Sequence, residues 1–382
     1  MTTVGFVGLG FKSLQRSETL WPRLPRIKQN QMTLHKAKPA WSVADIRGRL
    51  NSLPRFSLTD LPTPLHELRN LSEQLKGPRV LMKRDDLTHG GLGGNKNRKL
   101  EFEIGAALEQ KCDVMVWGGG GMQSNHARQC AAAARRAGLD CVLLLNDGPH
   151  GHELQGNRLL LDLLGVDVRA TGRDGMFGHE SDLAGVVDEL RAAGRRPFVV
   201  EYGPLTAVGY VECLLEIHEQ CLDLNADLHY IYLASGGGTQ AGLELGARAL
   251  NAGYSILGFS PLIVEGGRMK QQAALAQASA DLLDLNLEIR PDEIWNSTEF
   301  VGPEYAEATP AGIEAIRLVA ETEGIFLEPV YTGKAFAGLL RDIRQGVLGP
   351  EDAVVFLHTG GTPLVFAYAR ELSEAVRTSG TS

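Results

Sequence analysis

Residues 233–246, LASGGGTQAGLELG, join the end of an apolar segment to the start of a helix through a turn of three glycines. The segment before this turn, YIYLA (230–234), has the length and apolar character of a buried strand. The same order of short apolar strand and helix recurs from RVLMKRD (79–85) to VVFLH (354–358). This alternation predicts an α/β fold with twisted, parallel-rich sheets that are flanked by helices on both faces.

Composition and charge argue against several classes of partner. The 382 residues are 43% hydrophobic and 22% charged, which suffices for two domains or one large domain. A net charge of −8 argues against nucleic acid or an anionic membrane surface as the partner. Five cysteines without a C-x-x-C pair are typical of free thiols in a reducing compartment. We therefore expect a cytoplasmic protein that binds neither nucleic acid nor membrane.

The N-terminal segment contains a weak nucleotide-binding pattern. VGFVGLG (4–10) is similar to the opening of a dinucleotide-binding unit, but Ser13 stands where the third glycine would be needed. A polar stretch that contains proline, residues 14–39, replaces the expected helix. An NAD-dependent oxidoreductase therefore stays only as the alternative from a different class. We expect residues 1–45 to be an extension outside the core.

Three strand-to-helix junctions are rich in glycine, at residues 90–94, 118–121 and 236–238. Ligands of open α/β sheets bind at the carboxyl ends of strands, where such junctions lie. Glycines let the backbone approach an anion closely, and a helix N-terminus supplies free N–H groups. The hydroxyls of Ser235 and Thr239 beside the third turn favour phosphate, with a tight turn that binds no ligand as the alternative.

The helix after the first glycine turn begins with two lysines. Asn95 is a predicted N-cap, and the helix places Lys96 and Lys99 on nearly the same face. Cations at a helix N-terminus oppose its dipole unless an anion lies there, and a desolvated lysine has a lowered pKa. A phosphate turn and an activated amine together indicate pyridoxal-phosphate chemistry, whereas solvated surface lysines are the alternative.

The same helix is predicted to be amphipathic. Leu100, Ile104 and Leu108 lie on one face of it, and Glu101 lies elsewhere. The helix after the second turn begins with four polar residues, Gln123, Ser124, Asn125 and His126, which is more than capping requires. The alternative is that Asn125 serves only as an N-cap. Zinc would need clustered ligands, and the ten histidines are scattered, so no metal site is predicted.

Six motifs together resemble the D-cysteine desulfhydrase and 1-aminocyclopropane-1-carboxylate deaminase family. They are LPTPL (61–65), KRDD (83–86), GGNKNRKLEF (93–102), QSNHARQ (123–129), LEPVYTGKAFAGLL (327–340) and FLHTGGTP (356–363). This family belongs to the tryptophan-synthase-β-like, fold type II enzymes, which use pyridoxal 5′-phosphate. The resemblance implies a homodimer of two-domain α/β chains. The expected large domain comprises residues 46–98 and 200–382, and the small domain comprises residues 99–199.

The resemblance also implies roles for individual residues. Lys96 is similar to the Schiff-base lysine, Ser124 and Tyr331 to groups that act on the substrate, and Asn125 to the residue that binds the cofactor 3′-oxygen. The implied cofactor-binding residues are Lys96, Lys99, Asn125, Ser235, Gly236, Gly237, Gly238, Thr239, Thr332 and Thr359. The implied substrate-binding residues are Gln123, Ser124, Asn125, Tyr305 and Tyr331.

Two threonines favour one branch of this family. In the deaminase pattern a glutamate follows the tyrosine that corresponds to Tyr331, and a leucine precedes the late pair of glycines. Here these positions are Thr332 and Thr359. Neutral hydroxyls beside the pyridine nitrogen leave a weaker electron sink, which suffices when the substrate carries a β leaving group. We therefore expect α,β-elimination on a small amino acid, first of all conversion of D-cysteine to pyruvate, ammonia and hydrogen sulfide.

The exact substrate and its stereochemistry stay open at this point. An L-cysteate sulfo-lyase and a 1-aminocyclopropane-1-carboxylate deaminase are the nearest alternatives. The segment VEYGPLTAVGYVE (200–212) departs from the family, because Pro204, Leu205 and Thr206 stand where small polar residues are usual. This departure predicts a substrate pocket of altered size or polarity.

Overall fold

The computed structural model describes residues 41–173, 180–264 and 267–379. Its strands are β1 (Leu65–Glu67), β2 (Arg79–Arg84), β3 (Val114–Gly121), β4 (Asp140–Asn146), β5 (Asp167–Ala170), β6 (Pro197–Val199), β7 (Leu228–Ala234), β8 (Ser255–Phe259), β9 (Trp295–Ser297) and β10 (Ala353–His358). The first helices are α1 (Val43–Asn51), α2 (Arg69–Leu75), α3 (Lys96–Glu109), α4 (Asn125–Arg136), α5 (Gly156–Leu164) and α6 (Glu180–Ala192). They are followed by α7 (Leu205–Asp223), α8 (Gly238–Ala249), α9 (Arg268–Leu282), α10 (Pro310–Glu323), α11 (Thr332–Arg344), α12 (Pro363–Ala367) and α13 (Ala369–Ser379).

The strands form two sheets. The larger sheet has the order β1-β2-β10-β7-β8-β9, and the smaller sheet has the order β5-β4-β3-β6. Only β1 runs antiparallel to its neighbour among these strands. Phe356 of β10 lies opposite Met82 of β2 on one side and Tyr232 of β7 on the other. The expected parallel-rich α/β fold is therefore confirmed.

Strand β10 shows why the larger sheet is covered on both faces. Val355 and Leu357 pack into a cluster that also contains side chains of α1, α7, α8 and α9. Val354 and Phe356 point the other way, into a cluster with α2, α10 and α11. Because successive side chains of a strand alternate between faces, a run of six buried residues requires apolar partners on both sides. Each fully buried side chain of this kind contributes about 1.5–3 kcal/mol.

Local signals account for the ends of helix α10. Thr309 precedes it, and its hydroxyl accepts a hydrogen bond from the Gly312 N–H at 3.2 Å. Pro310 occupies the first helical position, where its missing N–H costs nothing. Gly324 ends the helix in the left-handed conformation, with φ of 66°. These signals account for a helix that begins at Pro310 and ends at Glu323.

Helix α3 is less amphipathic than predicted. Leu100 and Ile104 are buried as expected, but Leu108 is 38% exposed. Glu101, expected to point away from the core, is only 1% exposed, and its carboxylate accepts a hydrogen bond from the Leu58 N–H at 2.8 Å. The prediction was wrong for these two residues because a polypeptide segment far away in sequence covers the polar face of the helix.

The predicted N-terminal extension, residues 1–45, lies mostly outside the described residues, as does the VGFVGLG motif. The described part packs against the rest of the protein. The Trp41 indole N–H donates to the Leu285 carbonyl at 2.9 Å, and the Trp41 backbone N–H donates to Ala249 at 3.1 Å. Ser42 and Asp45 then form a capping box at the start of α1.

Candidate active site

A cavity of about 710 Å³ lies at the carboxyl ends of β3, β7 and β10. This is where parallel α/β sheets bind their ligands. The predicted site residues that line it are Lys96, Lys99, Ser124, Asn125, Gly236, Gly237, Gly238, Thr239, Tyr331 and Thr359. The glycine turn after β7 and residues 118–120 at the end of β3 are both part of the wall. Two of the three glycine-rich junctions therefore meet at one site.

The remaining glycine-rich junction, at residues 90–94, does not line the cavity but packs against α4. A Cβ atom on Gly94 would lie 2.5 Å from the Gln129 side chain, and one on Gly91 would lie 2.8 Å from Ala132. The Gly93 carbonyl accepts a hydrogen bond from Arg128 at 3.0 Å. These glycines allow close packing behind Lys96, and this turn is not the anion site that the sequence suggested.

Asn95 connects three loops at the start of α3. Asn95 occupies the predicted N-cap position, but its side chain makes no capping hydrogen bond. The side-chain amide instead donates to the Thr239 hydroxyl at 2.9 Å, and the backbone N–H donates to the Thr359 carbonyl at 3.0 Å. Lys96, the next residue, is held between the glycine turn after β7 and the loop after β10.

Lys96 has the environment of a reactive amine. Its side chain is half-buried and lines the cavity. Burial, together with the positive charge of Lys99, lowers the pKa of Lys96 to about 8, while Glu103 opposes the shift. Lys99 donates to Glu103 at 2.8 Å, one helical turn away, so the charge of Lys99 is paired within the protein. A larger fraction of neutral amine at physiological pH follows.

His126 is a cavity residue whose role the sequence did not predict. Its ring packs on Trp117 with centroids 4.4 Å apart, and its Nε2 has no hydrogen-bond partner among the described residues. Burial and the charges of Lys99 and Lys96 hold the pKa of His126 well below 6.5. The imidazole is therefore neutral beside the two lysines.

A buried network of hydrogen-bonded ion pairs holds helix α3 in place. Arg98 donates to Asp85 at 2.7 Å and to Glu216 at 2.8 Å, and Lys83 donates to Glu216 at 2.6 Å. Burial raises the pKa of Glu216, but Arg98 and Lys83 outweigh it and lower the pKa to about 2. The network joins β2, the turn after it, α3 and α7, so it sets the position of Lys96 on α3.

Gly238, in the glycine turn after β7, leaves no room for a side chain. A Cβ atom on Gly238 would lie 2.5 Å from the Thr206 side chain and 2.7 Å from the Thr206 carbonyl oxygen. Gly238 and Thr239 begin α8, so their N–H groups have no acceptor within the helix. Ser235 lies outside the cavity wall, and its hydroxyl accepts from the Gln240 N–H at 3.2 Å, which shapes the turn.

Asn125 is oriented by residues behind it. Its side-chain oxygen accepts a hydrogen bond from Asn157 at 2.8 Å, and Asn157 also donates to the Gln123 carbonyl at 2.7 Å. The Asn125 amide nitrogen therefore remains available to donate to another group. A Cβ atom on Gly361 would lie 2.9 Å from this nitrogen, so a side chain at position 361 would crowd it. Gln123 does not line the cavity but supports Asn125.

Ser124 is the N-cap of α4. Its hydroxyl accepts a hydrogen bond from the Ala127 N–H at 3.2 Å, so the alternative that Asn125 is the N-cap was wrong.

Tyr331 is positioned by a buried carboxylate that the sequence reasoning missed. Glu328 accepts hydrogen bonds from the backbone N–H groups of Val330 at 2.9 Å, Tyr331 at 2.9 Å and Thr332 at 2.7 Å. Burial raises the pKa of Glu328 to about 7 against the effect of these bonds. The Tyr331 hydroxyl contacts the Tyr305 hydroxyl, and Tyr305 itself does not line the cavity.

The structure separates the two threonines that the sequence grouped together. Thr359 lines the cavity, whereas Thr332 is fully buried outside its wall. The Thr332 hydroxyl accepts from the Glu328 N–H at 2.8 Å and lies 3.2 Å from the Glu328 carboxylate. The expected neutral hydroxyl at the cavity therefore comes from Thr359 alone.

Further cavity residues come from segments without a recognisable motif. They are Tyr202, Thr206, Tyr210 and Arg268. Tyr202, Thr206 and Tyr210 lie in the segment 200–212, which departs from the family pattern, so that departure was the one available signal. Arg268 begins α9 after an irregular loop, and no sequence pattern indicated it.

These groups fit pyridoxal phosphate. Lys96 offers a nucleophilic amine, the first turn of α8 offers free N–H groups for a phosphate, and the Asn125 amide offers a donor. The crowding around Gly238 means that backbone alone forms this part of the wall.

Comparison with known proteins agrees with this site. A family model of pyridoxal-phosphate dependent enzymes matches residues 56–360, and the chain belongs to this family. It is similar to the D-cysteine desulfhydrase of Yersinia pestis (strain Pestoides F), 40% identical over 332 residues, which cover 85% of this chain and 98% of that protein. The D-cysteine desulfhydrase of Klebsiella pneumoniae subsp. pneumoniae is 39% identical over 84% of this chain and 97% of that protein.

Solved structures show the same relationship. A crystal structure described as an ACC deaminase homologue has a TM-score of 0.79 and 36% identity, covering 87% of this chain and 99% of that chain. A fungal L-serine ammonia-lyase from Rhizomucor miehei, at 18% identity and a TM-score of 0.58, shares the fold over 84% of this chain and 99% of that chain. The expected family, fold type, cofactor and lyase class are therefore confirmed.

The remaining alternatives gain no support from these findings. The nicotinamide alternative rested on residues 4–10, which precede the matched region and lie outside the described residues. Within residues 41–173, 180–264 and 267–379, no group of three or more His, Cys, Asp or Glu side chains could hold a metal ion. In the same part of the chain, no helix has both the length and the apolar character needed to cross a membrane.

Proposed function

We propose that this enzyme converts D-cysteine and water to pyruvate, ammonia and hydrogen sulfide by α,β-elimination. The observation that carries the proposal is the meeting of Lys96, Asn125 and the glycine turn after β7 in one cavity. The identity of 39–40% with D-cysteine desulfhydrases over nearly their whole length supports D-cysteine as the substrate. When bound, pyridoxal phosphate supplies the electron sink that stabilises negative charge at the substrate Cα.

Lys96 has two tasks in this proposal. Its amine would hold the cofactor through the aldehyde carbon in the resting enzyme, and once the substrate amine has displaced it, Lys96 would take the proton from Cα. A pKa of about 8 suits both tasks, because the neutral amine is abundant near physiological pH and still basic enough to accept a proton. Lys99 and the amides of Gly236, Gly238 and Thr239 hold the phosphate, and Lys99 does so while paired with Glu103.

Residues on the other side of the cavity handle the substrate. Ser124 and Asn125 bind its carboxylate and the cofactor 3′-oxygen, respectively, and Tyr331 moves a proton to or from the leaving group. Burial and the neighbouring Tyr305 hold the pKa of Tyr331 well above 10, so its hydroxyl stays protonated and can donate a hydrogen bond to a departing thiolate. Thr359, a neutral group at the cavity, supports elimination of a good leaving group over ring opening.

The test combines a spectrum with product analysis. The purified protein with pyridoxal phosphate should absorb at about 410–430 nm, because the lysine-bound cofactor is the chromophore. Lys96→Ala should abolish this band and sulfide release, whereas Lys270→Ala, at an exposed position of α9, should change neither. D-Cysteine should yield sulfide and pyruvate in equal amounts.

The substrate panel decides between the related activities. It compares D- and L-cysteine, L-cysteate, D-serine, β-chloroalanine and 1-aminocyclopropane-1-carboxylate. Sulfite from L-cysteate without sulfide from D-cysteine would show a sulfo-lyase instead, and 2-oxobutanoate from the cyclopropane would show a deaminase. Either result would contradict the proposed substrate and leave the cofactor assignment unchanged.

We also propose that the predicted domain division holds, with residues 46–98 and 200–382 in the large domain and 99–199 in the small one. The larger sheet draws its strands from residues 65–84 and 228–358, and the smaller sheet from residues 114–199, which supports this division. Native-state hydrogen exchange should show residues 114–199 and the strands of the larger sheet opening as two separate units. A single opening transition shared by both sheets would contradict this division.

A cytoplasmic homodimer is the proposed state of the protein in the cell. All five cysteines are free, which suits a reducing compartment. Leu163 of α5 and Phe366 of α12 are 74% and 66% exposed on two helices that pack together, which supports a covered surface there. Light scattering should give twice the monomer mass of 41.3 kDa, and cell fractionation should place the protein in the cytoplasm.

A further inference from the structure

Arg268 is a buried cation that lines the cavity and has no carboxylate partner in the part of the chain that the structure describes. It is 7% exposed, and none of the ion pairs among the described residues includes it. Its Nη1 donates to the Gly236 carbonyl and, at 2.8 Å, to the Gln271 side chain. Its Nε and Nη2 have no hydrogen-bond partner among the described residues.

Such an arrangement is costly unless an anion joins it. Buried guanidinium N–H groups without acceptors cost free energy, and a cation in the first turn of a helix also opposes the helix dipole. The nearby positive charge of Lys99 is already paired with Glu103. Two acidic residues of the cavity wall, Asp188 and Glu201, are exposed to solvent and do not pair with Arg268.

The position of Arg268 indicates which anion it binds. Its guanidinium contacts Gly236, the first glycine of the turn whose next residues begin α8 with free N–H groups. A Cβ on Gly237 would lie 3.4 Å from the ring of Tyr202, so an aromatic side chain covers the same turn. Lys96 and Tyr331, which face the substrate, belong to other elements of the wall.

We propose that Arg268 binds the phosphate of pyridoxal phosphate and supplies the positive charge that the glycine turn itself lacks. The unpartnered Nε and Nη2 atoms are the donors to the phosphate, and the bond from Nη1 to Gly236 holds the guanidinium against the turn. Arg268 is thus a cofactor-positioning residue, and its contribution is independent of which amino acid the enzyme consumes.

Cofactor titration of the apoenzyme tests this assignment. Arg268→Met should raise the Kd for pyridoxal phosphate by about 10- to 100-fold, because a hydrogen bond to a charged group is lost. The same variant should change the affinity for pyridoxal, which lacks the phosphate, by less than about 3-fold. Inorganic phosphate should compete with pyridoxal phosphate less well in Arg268→Met than in the unmodified enzyme. Arg268→Lys should restore part of the affinity, since it keeps the charge.

Arg248→Met is the matched control, because Arg248 pairs with Glu293 at the surface of α8. It should leave both affinities unchanged. Equal weakening of pyridoxal and pyridoxal phosphate by Arg268→Met would overturn the proposal, since it would indicate a distorted cavity. An unchanged Kd for pyridoxal phosphate with a raised KM for the amino acid would also overturn it and place the anion on the substrate.

Discussion

The lowered pKa of Lys96 gives a prediction that can be measured without turnover. Burial and Lys99 lower this pKa from 10.5 to about 8, a difference of about 2.5. At pH 7.5 about a quarter of the Lys96 amines are then neutral, against about one in a thousand at a pKa of 10.5. The neutral fraction of Lys96 is thus about two hundred times that of an unperturbed lysine, and in the apoenzyme Lys96 should react faster with an amine reagent than such a lysine of equal access.

Competitive acetylation of the apoenzyme measures this difference. Trace acetic anhydride is applied between pH 6.5 and 10.5, and mass spectrometry follows the peptide that contains Lys96. Exposed Lys270 is labelled in the same sample and corrects for reagent loss. The acetylation of Lys96 should show a midpoint near pH 8.

Two variants test the cause of the shift. Lys99→Gln removes a positive charge that disfavours protonation of Lys96, so the pKa of Lys96 rises and the midpoint moves to higher pH. Glu103→Gln removes a negative charge that favours the protonated amine, so the midpoint moves to lower pH. A midpoint above about 10 in the unmodified protein, or shifts of the opposite sign, would refute the reasoning.

Three further predictions concern the supports of the site. Arg98→Met should lower the free energy of unfolding by about 3–5 kcal/mol in urea titrations, because it leaves buried carboxylates without a partner; a loss below about 1 kcal/mol would mean that the network is not tightly buried. Glu328→Gln should lower the free energy of unfolding by about 1–3 kcal/mol and reduce kcat, since an N–H donor then faces the backbone N–H groups around Tyr331; unchanged kcat would separate this carboxylate from the site. Gly238→Ala should weaken pyridoxal phosphate binding by about tenfold or more, because its Cβ would overlap Thr206, whereas Gly185→Ala, with nothing within 4 Å, should have no effect on the titration.

Elements with strong local signals could be predicted from the sequence. The apolar strand before residues 235–239 and the helix after them follow from periodicity and glycine content alone. Helix α10 follows from Thr309, Pro310 and Gly324. In contrast, α9 was not predicted, because its apolar residues are mostly alanines spread around a polar helix, and its packing is set by neighbours far away in sequence.

The same distinction holds within the site. Lys96 and Asn125 could be predicted because each follows a glycine-rich junction and begins a helix. Thr332 could not be placed correctly, because its hydroxyl pairs with Glu328 through the geometry of a turn. Glu101 was misplaced for a related reason, since its partner Leu58 is 43 residues away along the chain.

The buried cations Arg98, Lys83 and Arg268 differ in where their counter-charge comes from. Arg98 and Lys83 are matched by Asp85 and Glu216, so the protein neutralises them itself and their network can serve only to hold elements together. Arg268, by contrast, has no carboxylate partner among the described residues, and it borders the turn that opens α8. Because an unpaired buried charge is expensive, an anionic ligand at Arg268 would lower that cost. Arg128 is also buried without a carboxylate partner among the described residues, but it donates to the Gly91 and Gly93 carbonyls and does not line the cavity. A position on the cavity wall beside the turn that opens α8 therefore distinguishes Arg268 from the buried cations that only support the structure.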